Sequence, residues 1–132
     1  MITRLNLVTI LVTDQDEALA WFTDTLGLEK RQDARFGPGA RWLVVAPRGQ
    51  SDMGIVLQKP DAALQGAERA AEMTKLVGKG TTWVFHADRL EETFQELAAK
   101  GVKFLEPPKK MPWGNQAIFE DPYGNRYALM GP

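Results

Sequence analysis

The chain contains no cysteine. Disulfides, thiolate metal sites and cysteine nucleophiles are therefore excluded. It has a single histidine, so only His86 has a side chain whose unperturbed pKa lies near neutrality. Neither charge sign dominates. The formal net charge is −1, which removes any broad electrostatic pull toward nucleic acid or an anionic membrane. The basic pair Lys109-Lys110 is too short to indicate nucleic-acid binding, and no glycine loop of the phosphate-cradling kind is present. Apolar runs fall far short of a membrane span. The opening Met1-Ile2-Thr3-Arg4-Leu5 lacks the charged, apolar and small-residue regions of a signal peptide, so a cytoplasmic location is expected.

What remains is ordinary globular composition: 132 residues, 44% hydrophobic and 25% charged, enough for one compact domain. Residues 5–12 are rich in β-formers and read as a buried strand. Asp14 with Glu17 three residues on forms a capping-box pattern. Leu19, Phe22 and Leu26 then recur at helical spacing, with Ala18 and Trp21 beside them, and Gly27 ends the helix. Strands are expected over 29–36, 40–46 and 53–58, with Gly37-Pro38-Gly39 and residues 47–52 as turns.

The pattern then repeats. Residues 81–87 read as a second buried strand. Asp88 and Glu91 read as a second capping pair, Leu90, Phe94, Leu97 and Ala98 as an apolar stripe, and Gly101 as the helix end. Strands follow near 102–105, 115–120 and 126–130, the last two joined by an Asp121-Pro122-Tyr123-Gly124-Asn125 turn in which Asp121 is the stabilising residue. The shift between copies is about 74 residues, and two copies with matching signals argue for a duplicated module. The interval 60–79 is alanine-rich and can be helical in part. It reads as a linker between module one (about 1–59) and module two (about 80–132), and as a potential lid.

The run Val8-Thr9-Ile10-Leu11-Val12-Thr13-Asp14, the helix Ala18-Leu19-Ala20-Trp21-Phe22 and Leu26-Gly27-Leu28 resemble the opening module of the glyoxalase/bleomycin-resistance/dioxygenase (vicinal oxygen chelate) superfamily. Residues 112–125, from Pro112-Trp113-Gly114 to Gly124-Asn125, resemble its final hairpin. The resemblance implies an α+β fold of two βαβββ modules whose curved mixed sheets surround a cavity, in a single domain spanning 1–132. It also implies a homodimer.

Metal-dependent members of that superfamily place His, Glu or Gln on four strands, because a divalent ion needs several lone-pair donors converging at about 2.0–2.2 Å. Carried over, those positions fall on Leu7, Val56, Thr82 (or Thr81 on a one-residue slip) and Ala128. Leu, Val and Ala carry no donor atom and Thr is a poor ligand. No cofactor is therefore expected, and a divalent metal only under a different alignment. Isomerisation of the glyoxalase type, extradiol cleavage and thiol addition of the fosfomycin type all depend on such an ion.

Strand alternation then assigns faces. Leu7, Thr9 and Leu11 should line the cavity, with Val8, Ile10 and Val12 against the first helix. Thr82, Val84 and His86 should face the cavity, with Trp83 and Phe85 on the second helix. Val56, Gln58, Ala128 and Met130 share the cavity faces. The candidate ligand-binding residues are Thr9, Trp42, Gln58, Thr82, His86, Trp113 and Gln116, with Arg126 as a further polar group. His86 is also the candidate catalytic residue, as a metal-free acid/base, against the alternative of a strand-end histidine near solvent. Trp113 reads either as a ring that stacks on an aromatic or cationic ligand or as a packed loop or dimer-contact residue. Trp42 reads as core or groove, Trp21 and Trp83 as core. Arg41 and Arg126 read as partners for a ligand carboxylate or phosphate, or as surface ion pairs.

Two functional expectations follow. The first is a metal-independent protein of the bleomycin-resistance type that binds or sequesters a small aromatic or amphipathic molecule. The second is a glyoxalase-like lyase or isomerase with an atypical site. Neither nucleic acid nor a membrane is an expected partner.

Overall fold

The computed structural model describes residues 1–80 and 82–132; Thr81, the slipped alternative for the third ligand position and the start of the expected strand 81–87, lies outside the described residues. The chain divides into two compact units, Met1–Val77 and Gly78–Pro132. Each carries one four-stranded mixed sheet.

In the first unit, β1 (Leu7–Leu11) leads to α1 (Gln15–Ala20), which continues as a π-helical turn over Trp21–Thr25. Then come β2 (Glu29–Phe36), β3 (Ala40–Ala46), β4 (Gly54–Gln58), α2 (Ala62–Gln65) and α3 (Ala67–Leu76). The sheet order is β1-β4-β3-β2, with β1 parallel to β4 and the other pairs antiparallel. In the second unit, β5 (Trp83–His86), α4 (Leu90–Ala99), β6 (Lys103–Met111), β7 (Gly114–Glu120) and β8 (Arg126–Gly131) form the order β5-β8-β7-β6, again with the first strand parallel to its neighbour. The two βαβββ modules expected from the repeat are present. Among the described residues, no helix is long and apolar enough to cross a membrane.

Local chemistry explains most boundaries. The Asp14 side chain accepts the Glu17 N–H at 2.9 Å and starts α1. Gly27 and Gly101 take φ values of 77° and 89° just beyond their helices, where a side chain would be strained. The second capping pair is not formed. Asp88 lies in a turn two residues before α4, too early to reach its free N–H groups, and Arg89 occupies the cap position without a side-chain bond. The Asp88 carboxylate lies instead 3.0 Å from His86 Nε2. Ala98 is exposed, so the α4 stripe narrows to Leu90, Phe94 and Leu97. Strand β6 runs six residues past the expected 102–105, through Pro107 and Pro108. Proline is tolerated there because β6 is an edge strand and its pairing with β7 is broken by register shifts on both sides of Glu106.

The central strands β3, β4 and β8 are buried over consecutive residues, whereas β5 alternates between half-buried and exposed. In the first unit Ile10, Val12, Leu43, Val45 and Leu57 are buried together with Ala18 and Phe22 of the helix. Trp21 is half-buried, edge-on to Phe22. In the second unit the helix-side face is aromatic. Phe94 of α4 meets Phe104 edge-on at 4.7 Å, and Phe104, Phe119, Tyr127 and Phe85 continue the cluster. Trp83 shares that strand face and is half-buried.

The interval 60–79 holds α2, α3 and the boundary between the units, which falls after Val77. Both helices therefore belong to the first unit, where α3 packs on β1.

Candidate functional site

The register of the first sheet decides which side chains leave the core. Thr9 pairs with Val56 across β1 and β4, Val56 with Val44 across β4 and β3, and Trp42 with Ala34 across β3 and β2. These residues, with Leu7, Leu11 and Gln58, share the face opposite α1. Arg41, one residue from Trp42, points the other way and reaches Asp16 on the helix at 2.7 Å.

A groove of roughly 490 Å³ opens on this unit. Two stretches contribute most of its lining: residues 36–42, at the β2–β3 turn, and residues 58–64, where the chain leaves β4 and enters α2. Phe36, Trp42 and Leu64 are all exposed large apolar side chains that line it, at 47%, 37% and 49%. Groups of this kind normally sit scattered on a surface; here three share one concavity. Val56 adds a buried apolar contact, and Gln58, Lys59 and Asp61 add polar groups.

The walls are held in place. The Trp42 indole N–H donates to Gln32 Oε1 at 2.6 Å, which fixes the ring. The Gln15 carboxamide donates to the Leu57 and Arg41 carbonyls and ties the start of α1 to β4 and β3. Arg41 Nε and Nη2 donate to the two oxygens of Asp33, each at 2.9 Å. That bidentate bond holds the Asp33 carboxyl below its ordinary range and the Arg41 guanidinium above its own. Arg41 is thus spent on Asp33 and Asp16, so of its two readings the ion pair is the one the structure shows and the ligand-anion partner is not. Asp61 Oδ1 accepts the Ala63 N–H at 2.8 Å and caps α2.

Of the candidate ligand-binding residues, Trp42 and Gln58 meet in this groove, which Val56 and Arg41 also line. Thr9 is exposed on the same sheet face, beside Val56 in the pairing. The others lie in the second unit. Thr82 is exposed and precedes β5. His86 is exposed at the end of β5, beside the exposed Asp88. Val84 and His86 share a face with Ala128, Met130 and Gln116. Trp113 stands at the tip of the β6–β7 hairpin, 60% exposed, and its indole N–H donates to Gln116 Oε1 at 3.0 Å. Each unit thus holds one indole by a glutamine carboxamide. Arg126 is exposed.

Phe36, Lys59 and Leu64 were not apparent as site residues in the sequence. Phe36 carries a weak signal, an aromatic residue placed directly before Gly37-Pro38-Gly39. Lys59 and Leu64 carry none, because their position depends on how the chain turns after β4.

One buried carboxylate lies in the second unit. Asp121 accepts from the Tyr123 and Asn125 backbone N–H groups, the Asn125 amide and the Tyr127 hydroxyl, at 2.7–3.0 Å. Burial pushes its carboxyl above the ordinary value against those donors, and burial beside that carboxylate raises the Tyr127 phenol. Asn125 Oδ1 in turn accepts the Gly78 N–H. The cluster closes the β7–β8 turn, as Asp121 was expected to do.

A divalent ion does not fit the four strand positions at which the resemblance places donors. Leu7, Val56 and Ala128 offer no lone pair, Val56 and Ala128 are buried among apolar groups, and Thr82 is a lone hydroxyl. Among the described residues, no three His, Asp or Glu side chains gather as a metal site.

Comparison with known proteins agrees with this architecture. The family model of the Glyoxalase/Bleomycin resistance protein/Dioxygenase superfamily matches residues 4–129. The uncharacterized protein YetH of Bacillus subtilis (strain 168) is 30% identical over 129 residues, covering 98% of each chain. The crystal structure of UcmS2 superposes with a TM-score of 0.87 at 37% identity, covering 98% of both chains. TnmS3, an antibiotic binding protein from Streptomyces sp. CB03234, gives a TM-score of 0.76 at 29% identity over 99% of this chain and 97% of its own. With the fold, the strand order and the family match in agreement, the chain belongs to the glyoxalase/bleomycin resistance protein/dioxygenase superfamily.

Proposed function

We propose that this protein binds a small aromatic or amphipathic molecule without a metal ion, in the groove of its first unit. The observation that carries this reading is the convergence of Phe36, Trp42 and Leu64 on one concavity of roughly 490 Å³. That volume suits a drug-sized ligand. Burying exposed apolar side chains of this size gives a ligand its main driving force, at about 25 cal/mol per Å² covered. Gln58 supplies a hydrogen-bonding group that fixes orientation. A relative described as an antibiotic binding protein, TnmS3, supports the same reading. In this reading the protein is a cytoplasmic homodimer, Thr9 on the same sheet face is a further ligand contact, and no cofactor takes part.

A glyoxalase-like lyase or isomerase working through His86 is the weaker alternative. His86 stands on an exposed strand end beside an exposed carboxylate, where its proton exchanges with solvent rather than with an enclosed substrate.

The test is titration of chelator-treated protein with a panel of planar aromatic compounds, followed by tryptophan fluorescence and thermal shift. Quenching and a rise in melting temperature, both unaffected by chelator, support the reading. A panel that leaves both unchanged, or binding that needs added zinc, manganese or nickel, overturns it.

A further inference from the structure

Resting on that reading, we propose that the ligand carries a carboxylate on its aromatic body and that Lys59 recognises it. The groove is lined by two cations, Arg41 and Lys59, and one acid, Asp61. Arg41 is satisfied internally: its side chain is 6% exposed and bonded to Asp33 and Asp16. Asp61 is engaged at the N-terminus of α2, where its carboxylate accepts the Ala63 N–H. Lys59 differs from both. It is exposed, and among the described residues its ammonium has no hydrogen bond or ion pair. It directly follows Gln58, whose carboxamide also has no partner among the described residues.

The ring faces of Phe36 and Trp42 are likewise unstacked by any other aromatic ring among the described residues. The indole N–H is already used by Gln32, so Trp42 offers its face and not its donor. The groups left for a ligand are thus two aromatic faces, one amide and one ammonium. A flat ring system with an attached carboxylate uses all of them. The ring covers Trp42 and Phe36, and the carboxylate accepts from Lys59 and from the Gln58 NH₂. A cationic ligand would find Lys59 repelling it and one Asp61 oxygen already accepting the Ala63 N–H.

The experiment compares three probes of one shape on the intact chain by calorimetry at neutral pH: 2-naphthoate, methyl 2-naphthoate and 2-(aminomethyl)naphthalene. They are measured on the unaltered protein, on Lys59→Met and on Lys75→Met, a lysine of α3 that does not line the groove. An ion pair at the mouth of a groove is worth up to about fivefold in affinity. The expected result is 2-naphthoate bound about fivefold tighter than its ester. Added salt should erode the preference, Lys59→Met should abolish it with ester affinity intact, and Lys75→Met should leave it unchanged. Equal affinity for acid and ester, a preference that survives Lys59→Met, or tightest binding of the amine overturns the carboxylate inference while leaving an aromatic groove. Failure of all three probes to bind overturns both.

Discussion

Arg41 and Asp33 form a two-pronged ion pair across the β2–β3 hairpin, with both hydrogen bonds at 2.9 Å. The third arm of Arg41 reaches Asp16 in the first turn of α1, so one guanidinium joins the outer hairpin to the helix start. Asp33→Asn removes the charge and one strong acceptor, and should cost about 1 kcal/mol in a partly exposed pair. The pH dependence has a definite sign. The folded Asp33 carboxyl titrates below its unfolded value of 3.8. Its contribution is present above that value and is lost as pH falls through the folded one. The gap in stability between the parent protein and Asp33→Asn should therefore be full at neutral pH and close in strong acid, as followed by urea denaturation.

Tyr127→Phe tests the buried carboxylate. Its hydroxyl donates to Asp121 Oδ2 at 2.7 Å, and both residues are almost wholly buried. Losing a donor to a buried charge should cost about 1.5–3 kcal/mol at neutral pH. The Asp121 carboxyl already titrates above its ordinary value, so its contribution favours the fold at low pH and is lost as pH rises through the folded value. Without the hydroxyl that value rises further. The deficit of Tyr127→Phe should accordingly shrink in acid, where the carboxyl is protonated, and a deficit constant with pH would show Asp121 neutral throughout.

The strand–helix order was legible because it rests on local signals: alternating β-formers, the Asp14 cap, and Gly27 and Gly101 after their helices. It failed where tertiary context outweighed them. Asp88 had the right residue type for a cap, but the chain turned once more before α4 and gave the carboxylate to His86. The strand expected near 102–105 runs on to Met111, because an edge strand with shifted register absorbs Pro107 and Pro108. The site was less legible for a related reason. Gln58 could be placed by strand parity and Trp42 stayed open between core and groove, whereas Lys59 and Leu64 reach the groove only through the path of residues 58–64. Arg41 had the residue type of an anion-binding group, and only the structure shows its guanidinium already filled.

Gly131→Ala probes the closing contact of the second unit. A methyl group there would collide with the Ala87 carbonyl group. The obstacle is backbone, so the strand end must move rather than a side chain. A loss of about 2 kcal/mol is expected, read as a lower midpoint in denaturant with an unchanged slope.

Trp42→Ala and Gln32→Leu separate the shape of the groove from the hold on its wall. Trp42→Ala removes the stacking face and should weaken an aromatic probe about tenfold, since such a contact contributes on the order of 1 kcal/mol beyond the area it covers. Stability should fall as well, because the ring is only 37% exposed and its N–H bonds Gln32, so affinity is compared at a temperature where the variant is fully folded. Gln32→Leu leaves the ring in place but removes the acceptor that bonds its N–H at 2.6 Å. The indole then samples other rotamers, and the ligand must restore the bound one. A smaller loss, about twofold to threefold, is expected, together with broader tryptophan emission in the free protein that sharpens on binding. If Gln32→Leu weakens binding as much as Trp42→Ala, Gln32 touches the ligand directly. If neither variant changes affinity, the ligand binds away from this groove.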